Sequence, residues 1–244
     1  LDRSSAASDV YKRQVQDRPT PQALAFWRQA GMPAEMIAER AAERPFNMAD
    51  LSAPLPPGYR RLAEGHEIAF GERRWIVRMG EGHAPEHVTL WSQDDDLVIG
   101  GDQLLASISP NLGVHPNEPE GDPIGGWLTS CARLAEHARP DQLILPGHRL
   151  PYRGLPTRLR QLIDNQRAAL ERLAAGLAGA PRTTVGCFDL LYRRVIGKPE
   201  FGLALAEAVG HINHLRAAGR VWPVGQTEQG ATLSVSYTHL TLPT

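Results

Sequence analysis

Apolar residues fall in two rhythms along the chain. Between Pro21 and Ala30 the run ALAFWRQA has the three-to-four spacing of a short helix that Gly31 stops, and Pro33 opens a second one, AEMIAERAAER. Pro45, Pro54, Pro56 and Pro57 then mark a loop. Beyond it the period shortens to two. HEIAF and RRWIVRM flank the Gly71-Glu72 turn and read as strands. His87 to Trp91 alternates Val88 and Leu90 against Thr89 and Trp91, a half-buried strand, and Leu97-Val98-Ile99 is a short buried strand running into Gly100-Gly101-Asp102. A loop rich in Pro, Asn and Gly covers Ser107 to Asp122. Pro123 opens a helix to about His137, and Leu143-Ile144-Leu145 is a strand that ends in Pro146-Gly147-His148.

The helical period returns after Pro156. Residues 157–178 form an amphipathic helix with a stripe of Leu159, Leu162, Ile163, Leu170 and Leu173. Thr183 or Thr184 can cap a helix through CFDLLYRRV, and Pro199 opens EFGLALAEAVGHINHLRAA, which Gly219 ends. Val221–Val224 and Ala231–Val235 read as a hairpin around a Gly225–Gly230 turn. Three helices and a hairpin are the layout of a winged helix. The pattern therefore predicts an α/β domain over 15–156 and a helix-plus-winged-helix module over 157–234.

The two ends follow neither rhythm. Back-translated, Ser4–Gln14 and Val235–Thr244 can be encoded by the two strands of one DNA element, as a transposon-type sequencing adapter would leave them. Residues 1–14 and 235–244 are accordingly expected to be adapter-derived, and the chain an internal gene fragment without its own N-terminus.

Composition adds little to the fold and more to the class. Of 26 basic residues only Lys12 and Lys198 are lysine, which, with heavy Ala, Gly and Pro usage, suggests GC-rich bacterial coding. A net charge of −1 gives no chain-wide field for nucleic acid or an anionic membrane. Cys131 and Cys187 stand at no motif spacing and read as reduced, partly buried thiols of a cytoplasmic protein. No run of 18 apolar residues suggests a membrane span, and a signal peptide upstream stays open.

Candidate chemistry gathers where strands end. His83 follows the RRWIVRM strand, Asp102 the LVI strand and His148 the LIL strand, each beside a glycine (Gly82, Gly101, Gly147) that lets backbone approach closely. Imidazole, carboxylate and imidazole suit zinc in a hydrolytic site. His87 opens its strand four residues after His83 and reads as a group at the site edge; Asn111 is a second candidate for substrate contact. His66, His115, His137, His211 and His214 read as structural, and Asp94-Asp95-Asp96 as a solvated turn without the spaced ligands of a calcium loop.

The order GHAPEH, then GGD 19 residues on, then LPGH a further 46 residues on, resembles the metallo-β-lactamase superfamily, in particular its glyoxalase II-like branch; GGDQLLASISPNLGV is similar to that branch too. The resemblance covers roughly 15–234 and implies part of an αββα sandwich followed by a winged helix. It implies two divalent metals, zinc first with iron or manganese as alternatives. His83 would bind one metal, Asp102 would bridge, and His148 would bind the other. A metal-bound hydroxide would then attack a thioester, lactone or phosphodiester.

The family's His-x-His-x-Asp-His signature is nowhere in the chain. The resemblance places it, with the first strands, upstream of Val15, so this polypeptide is expected to be inactive. The partner implied is a small ester or thioester substrate, with a homodimer possible. A nucleic-acid-binding module, including a metallo-endoribonuclease, is the alternative. Eight basic against four acidic residues between Arg167 and Trp222 give it a modest +4.

Overall fold

The computed structural model describes residues 15–47, 50–51 and 60–236. The expected adapter segments and the proline loop therefore lie largely outside the described residues.

Two helices come first, α1 (Pro21–Gln29) and α2 (Ala34–Ala42). Thr20 caps α1 by accepting the Ala23 amide at 3.2 Å, ahead of a first-turn proline whose missing N–H costs nothing there. The sheet follows: β1 (Glu67–Phe70), β2 (Arg73–Gly80), β3 (His87–Ser92), β4 (Leu97–Gly101) and, after helix α3 (Pro123–Ala135), β5 (Leu143–Pro146). The strands lie in sequence order, antiparallel except for the parallel pair β4–β5 that the α3 crossover makes possible. This order sets the site. The end of β2, the start of β3 and the ends of β4 and β5 all fall on one edge of the sheet.

Cross-strand register decides what each face carries. Thr89, Trp91, Val98 and Ile144 share one face, all buried; Trp91, Val98 and Ile144 pack into one core with Ile124, Trp127 and Leu134 of α3. The other face carries Val88, Leu90, Leu97, Ile99, Leu143 and Leu145, all only half-buried.

The rest is mostly helical: α4 (Leu155–Leu177), a 3₁₀ turn (Val185–Cys187) leading into α5 (Phe188–Leu191), and α6 (Lys198–Ala217), then the hairpin β6 (Val221–Gln226) and β7 (Thr232–Ser236). The helix expected through CFDLLYRRV is cut short at Leu191. Tyr192 is extended, because its hydroxyl donates to the Ala204 carbonyl of α6 at 2.7 Å and its ring stands edge-on to Phe188. Of the two threonines, Thr184 stands at the N-cap of the 3₁₀ turn without a side-chain bond, and Thr183 Oγ1 accepts the Gly186 amide at 3.1 Å.

The boundary expected at 156 falls in the first turn of α4, and packing runs through it. Leu155, Leu159 and Leu162 of α4 lie in the same core as Trp91 and Trp127. A second cluster joins Phe26, Ala30 and Met32 at α1 to Phe201, Leu205 and Val209 of α6. The end expected to be adapter-derived from 235 enters the fold with its first two residues, Val235 as the last residue of the expected hairpin strand and Ser236 one residue beyond it. Val235 pairs with Trp222 and Ser236 with Val221, and both are buried. Pairing needs only backbone N–H and C=O, and a β-branched valine suits a strand whatever its origin.

Candidate metal centre

Asp102 stands at the middle of the site, one residue past β4. Gly101 turns the chain there at φ +50°, a conformation that L side chains rarely adopt, and a Cβ on it would meet His87 Nε2 at 2.5 Å. From the β2–β3 loop His83 brings Nε2 to 3.3 Å from Asp102 Oδ2; from the end of β5 His148 brings Nε2 to 3.5 Å from the same oxygen. The three residues that the sequence singles out are thus brought together at one strand-end edge. His148 is 65% exposed, so the site opens to solvent on its side.

The other carboxylate oxygen, Asp102 Oδ1, is buried without a hydrogen-bond partner, and a Cβ built on Gly147 would overlap it. A buried carboxylate oxygen left bare is costly unless a cation or a proton donor meets it. His83 adds a second sign. Its Nδ1 lies 3.0 Å from the Asn111 carbonyl, which can only accept, so Nδ1 carries the proton. Nε2 is then the ring nitrogen that faces the Asp102 carboxylate, and an imidazole nitrogen and a carboxylate oxygen side by side are donors that a cation can share. The donors fit a divalent metal in kind. They fall short in number, since no set of three or more His, Cys, Asp or Glu among the described residues is arranged to hold an ion.

His87 lies behind His83, ring centroids 6.0 Å apart. Burial holds its pKa below the ordinary imidazole value, and the His83 ring adds to that against the opposing pull of Asp102. Asn111 reaches the site through its backbone carbonyl, while its side-chain amide donates to Leu203 O of α6 at 3.3 Å. That backbone role is beyond a motif search, which reads only side chains.

Three of the other histidines are held away from Asp102, while His115 lines the same cleft as His83. His211 is buried between Gln166 and the Glu207 carbonyl, His137 packs against Trp91, and His214 pairs with Asp122, the cap of α3. The Asp94–Asp96 turn is tied up by arginine: Arg74 on Asp94, Arg73 on Asp95, and Arg139 on Asp96. Cys131 and Cys187 are free and buried, each thiol pushed up to about 12 by burial. Among the described residues no helix is long and apolar enough to cross a membrane.

Known proteins agree with this frame. The chain is 32% identical to a beta-lactamase domain protein from Burkholderia ambifaria, with a TM-score of 0.78 over 89% of this chain and 65% of that one. A metallo-beta-lactamase family protein from Thermus thermophilus matches at 26% identity and a TM-score of 0.66, over the same shares. The "Probable metallo-hydrolase YqjP" of Bacillus subtilis (strain 168) is 27% identical over 161 residues, 65% of this chain and 49% of YqjP. The chain thus spans about half the length of that curated relative and somewhat under two thirds of either solved structure. The model of the metallo-beta-lactamase superfamily matches residues 22–179, from α1 through the whole strand-end site to the end of α4, and the chain belongs to that superfamily.

Proposed function

We propose that this chain is part of a metal-dependent hydrolase and that His83, Asp102 and His148 are its share of a two-metal site. One observation carries the proposal: two imidazole Nε2 atoms from different strand ends converge on a single oxygen of Asp102. His83 would serve one ion and His148 the other, with Asp102 between them. Zinc suits this donor set, and iron or manganese are the alternatives. When bound, the metal supplies a Lewis acid and a water of lowered pKa. The chain's own groups hold and orient: the Asn111 carbonyl sets the His83 ring, and Gly147 leaves room for the Asp102 carboxylate. His87, kept neutral by burial, and Asn111 are the proposed substrate contacts. The substrate proposed is a small thioester, lactone or phosphodiester.

A catalytic zinc ordinarily keeps three protein ligands and an open position for water. Two histidines and one shared aspartate do not supply that twice, so the polypeptide as written is proposed to be inactive. The test is to purify it, measure bound metal, and assay thioester, lactone, phosphodiester and RNA hydrolysis with zinc, manganese and iron. Substoichiometric metal and no turnover are expected. Near-stoichiometric metal with turnover that His148→Ala abolishes would overturn the inactivity.

The order α4, α5, α6 and hairpin supports a winged-helix-like arrangement. Nucleic-acid binding is less supported. Five of the eight basic residues between Arg167 and Trp222 are paired with carboxylates: Arg182, Arg194, Lys198, Arg216 and Arg220. Little positive charge is left for phosphates, and we read the module as one that packs on the hydrolase part. The half-buried sheet face (Val88, Leu90, Ile99, Leu145) is where a homodimer contact would form.

A further inference from the structure

A cavity of about 370 Å³ lies between α4 and α6, bordered on one side by Ser109, Pro110 and Asn111. Its size falls within the range of small-molecule sites, roughly 300–1,000 Å³. Two opposite charges line it, and among the described residues neither forms an ion pair. One is the half-buried Glu207 of α6. The other is Arg172 of α4, whose Nε donates to the Leu190 carbonyl at 3.3 Å, leaving both Nη atoms without a hydrogen bond among the described residues. In the same part of the chain Arg182, Arg194, Lys198, Arg216 and Arg220 are all paired with carboxylates. The Tyr192 hydroxyl beside Glu207 directs its proton to the Ala204 carbonyl at 2.7 Å, and burial pushes the Glu207 carboxyl up to about 7. Gln166 lines the cavity too, and His211 fixes how it is turned. Burial keeps the His211 ring neutral, with a pKa lowered to about 4. Its Nδ1 donates to the Glu207 carbonyl at 2.8 Å, so its Nε2 accepts from Gln166 Nε2, also at 2.8 Å. The amide oxygen of Gln166 is then an acceptor with no partner among the described residues.

We propose that this cavity binds a free aliphatic α-amino acid, its ammonium held by Glu207 and the Gln166 amide oxygen and its carboxylate by Arg172. A carboxylate and a guanidinium that face one space without pairing are the complement of a zwitterion. The ammonium brings the counter-charge that a carboxylate needs to stay ionised out of water. The guanidinium fork matches a carboxylate, and its exposed place at the rim leaves that end of the ligand near solvent. Pro110, Ala169 and Leu191 give the cavity an apolar wall, which suits an aliphatic side chain. Glu207, Gln166 and Arg172 make no contact with His83, Asp102 or His148 among the described residues, so binding here does not depend on a metal there.

The test is calorimetric titration of the full chain with L-alanine, L-valine and L-leucine, and with the N-acetyl and decarboxylated forms of each. At pH 8 at least one amino acid should bind, and its N-acetyl form, without the ammonium, and its amine, without the carboxylate, should each bind at least about tenfold more weakly. The titratable and charged groups that face Glu207 are Tyr192, His211 and Arg172; the 109–111 segment adds none. His211 stays neutral and Tyr192 protonated through pH 6 to 8, because burial lowers the one pKa and raises the other, so Glu207 is the group that titrates there. Binding needs its carboxylate ionised, so affinity is full above pH 7 and is lost below it. From pH 8 to pH 6 affinity should fall roughly tenfold, and at pH 7 about half a proton should leave per ligand bound, read from the dependence of the heat on the ionisation enthalpy of the buffer. Glu207→Gln should weaken binding roughly tenfold and remove both the pH dependence and the proton release. Arg172→Gln should weaken it roughly tenfold and keep both. If Glu207→Gln does not fold, the proton release of the native chain and the exposed Arg172→Gln decide the matter. No binding of any of the three amino acids, or binding that the N-acetyl form matches and that releases no proton at pH 7, would overturn the site.

Discussion

His211 and Glu207 lie one turn apart on α6 and titrate in opposite senses. Burial lowers the His211 pKa from 6.5 to about 4, assisted by His214 and Arg172. Its contribution to stability is complete above pH 6.5 and is lost as pH falls toward 4, a span worth about 3 kcal/mol. Burial raises Glu207 from 4.5 to about 7, with the Tyr192 hydroxyl pulling the other way. Its contribution is complete below pH 4.5 and is lost as pH rises through 7. Between pH 7 and 4.5 the two nearly offset each other. Glu207→Gln should therefore make the melting temperature drop on acidification where the native chain stays flat. His211→Gln should make it rise. Thermal scans across this range check both, and a Glu207→Gln profile parallel to the native one would show that the Glu207 shift is absent. None of this is legible in the sequence, where Glu207 and His211 are one i, i+4 pair on a helix. That His83, Asp102 and His148 lie together is legible, because strand ends and neighbouring glycines mark them. Burial leaves no such mark on single residues.

At the scale of elements, period and punctuation carry far. The α1 to β5 sequence is readable because the strands alternate or run as short apolar stretches and each helix has a proline start, and observed bounds move by only a residue or two. The exception past Cys187 is physical. Local propensity favours a helix to Val195, but a tertiary hydrogen bond from Tyr192 to Ala204 on α6 ends it four residues early. Packing across α4 is the other feature that pattern conceals. An amphipathic stripe shows that Leu159 and Leu162 are covered, not by what. Their partners prove to be the core of the sheet, so α4 to β7 does not carry a core of its own. Leu162→Ala should cost about 2–5 kcal/mol. It should lower a single transition seen alike by tryptophan fluorescence, to which Trp91 and Trp127 contribute together with Trp27, Trp75 and Trp222, and by far-ultraviolet circular dichroism, which reports on the helices. Two separate transitions, with only the helical one moved, would mean that the segments fold apart.

At the scale of the molecule, the 232–236 strand is tied into the fold more than the sequence suggests. Thr232–Ser236 is one edge of the terminal hairpin, and Arg182 bridges to Ser234 from the segment that follows α4. Val235, 8% exposed, and Ser236, 6% exposed, lie among the last residues described, inside the ten-residue tail attributed to an adapter. The two origins predict different results on trimming. If codons alone decided, removing 235–244 would be as harmless as removing 1–14. Packing says otherwise: burying a valine side chain is worth about 1.5–3 kcal/mol, and the backbone pairing of Val221 and Trp222 goes with it. Deleting 1–14 together with 237–244 should leave the melting temperature within error of the full chain. Deleting 235–244 should lower it by several degrees, because the strand loses its two terminal partners while Val221, 1% exposed and part of the main core, loses its cover. Equal melting temperatures for both deletions would show that the hairpin's last pair adds nothing to the fold.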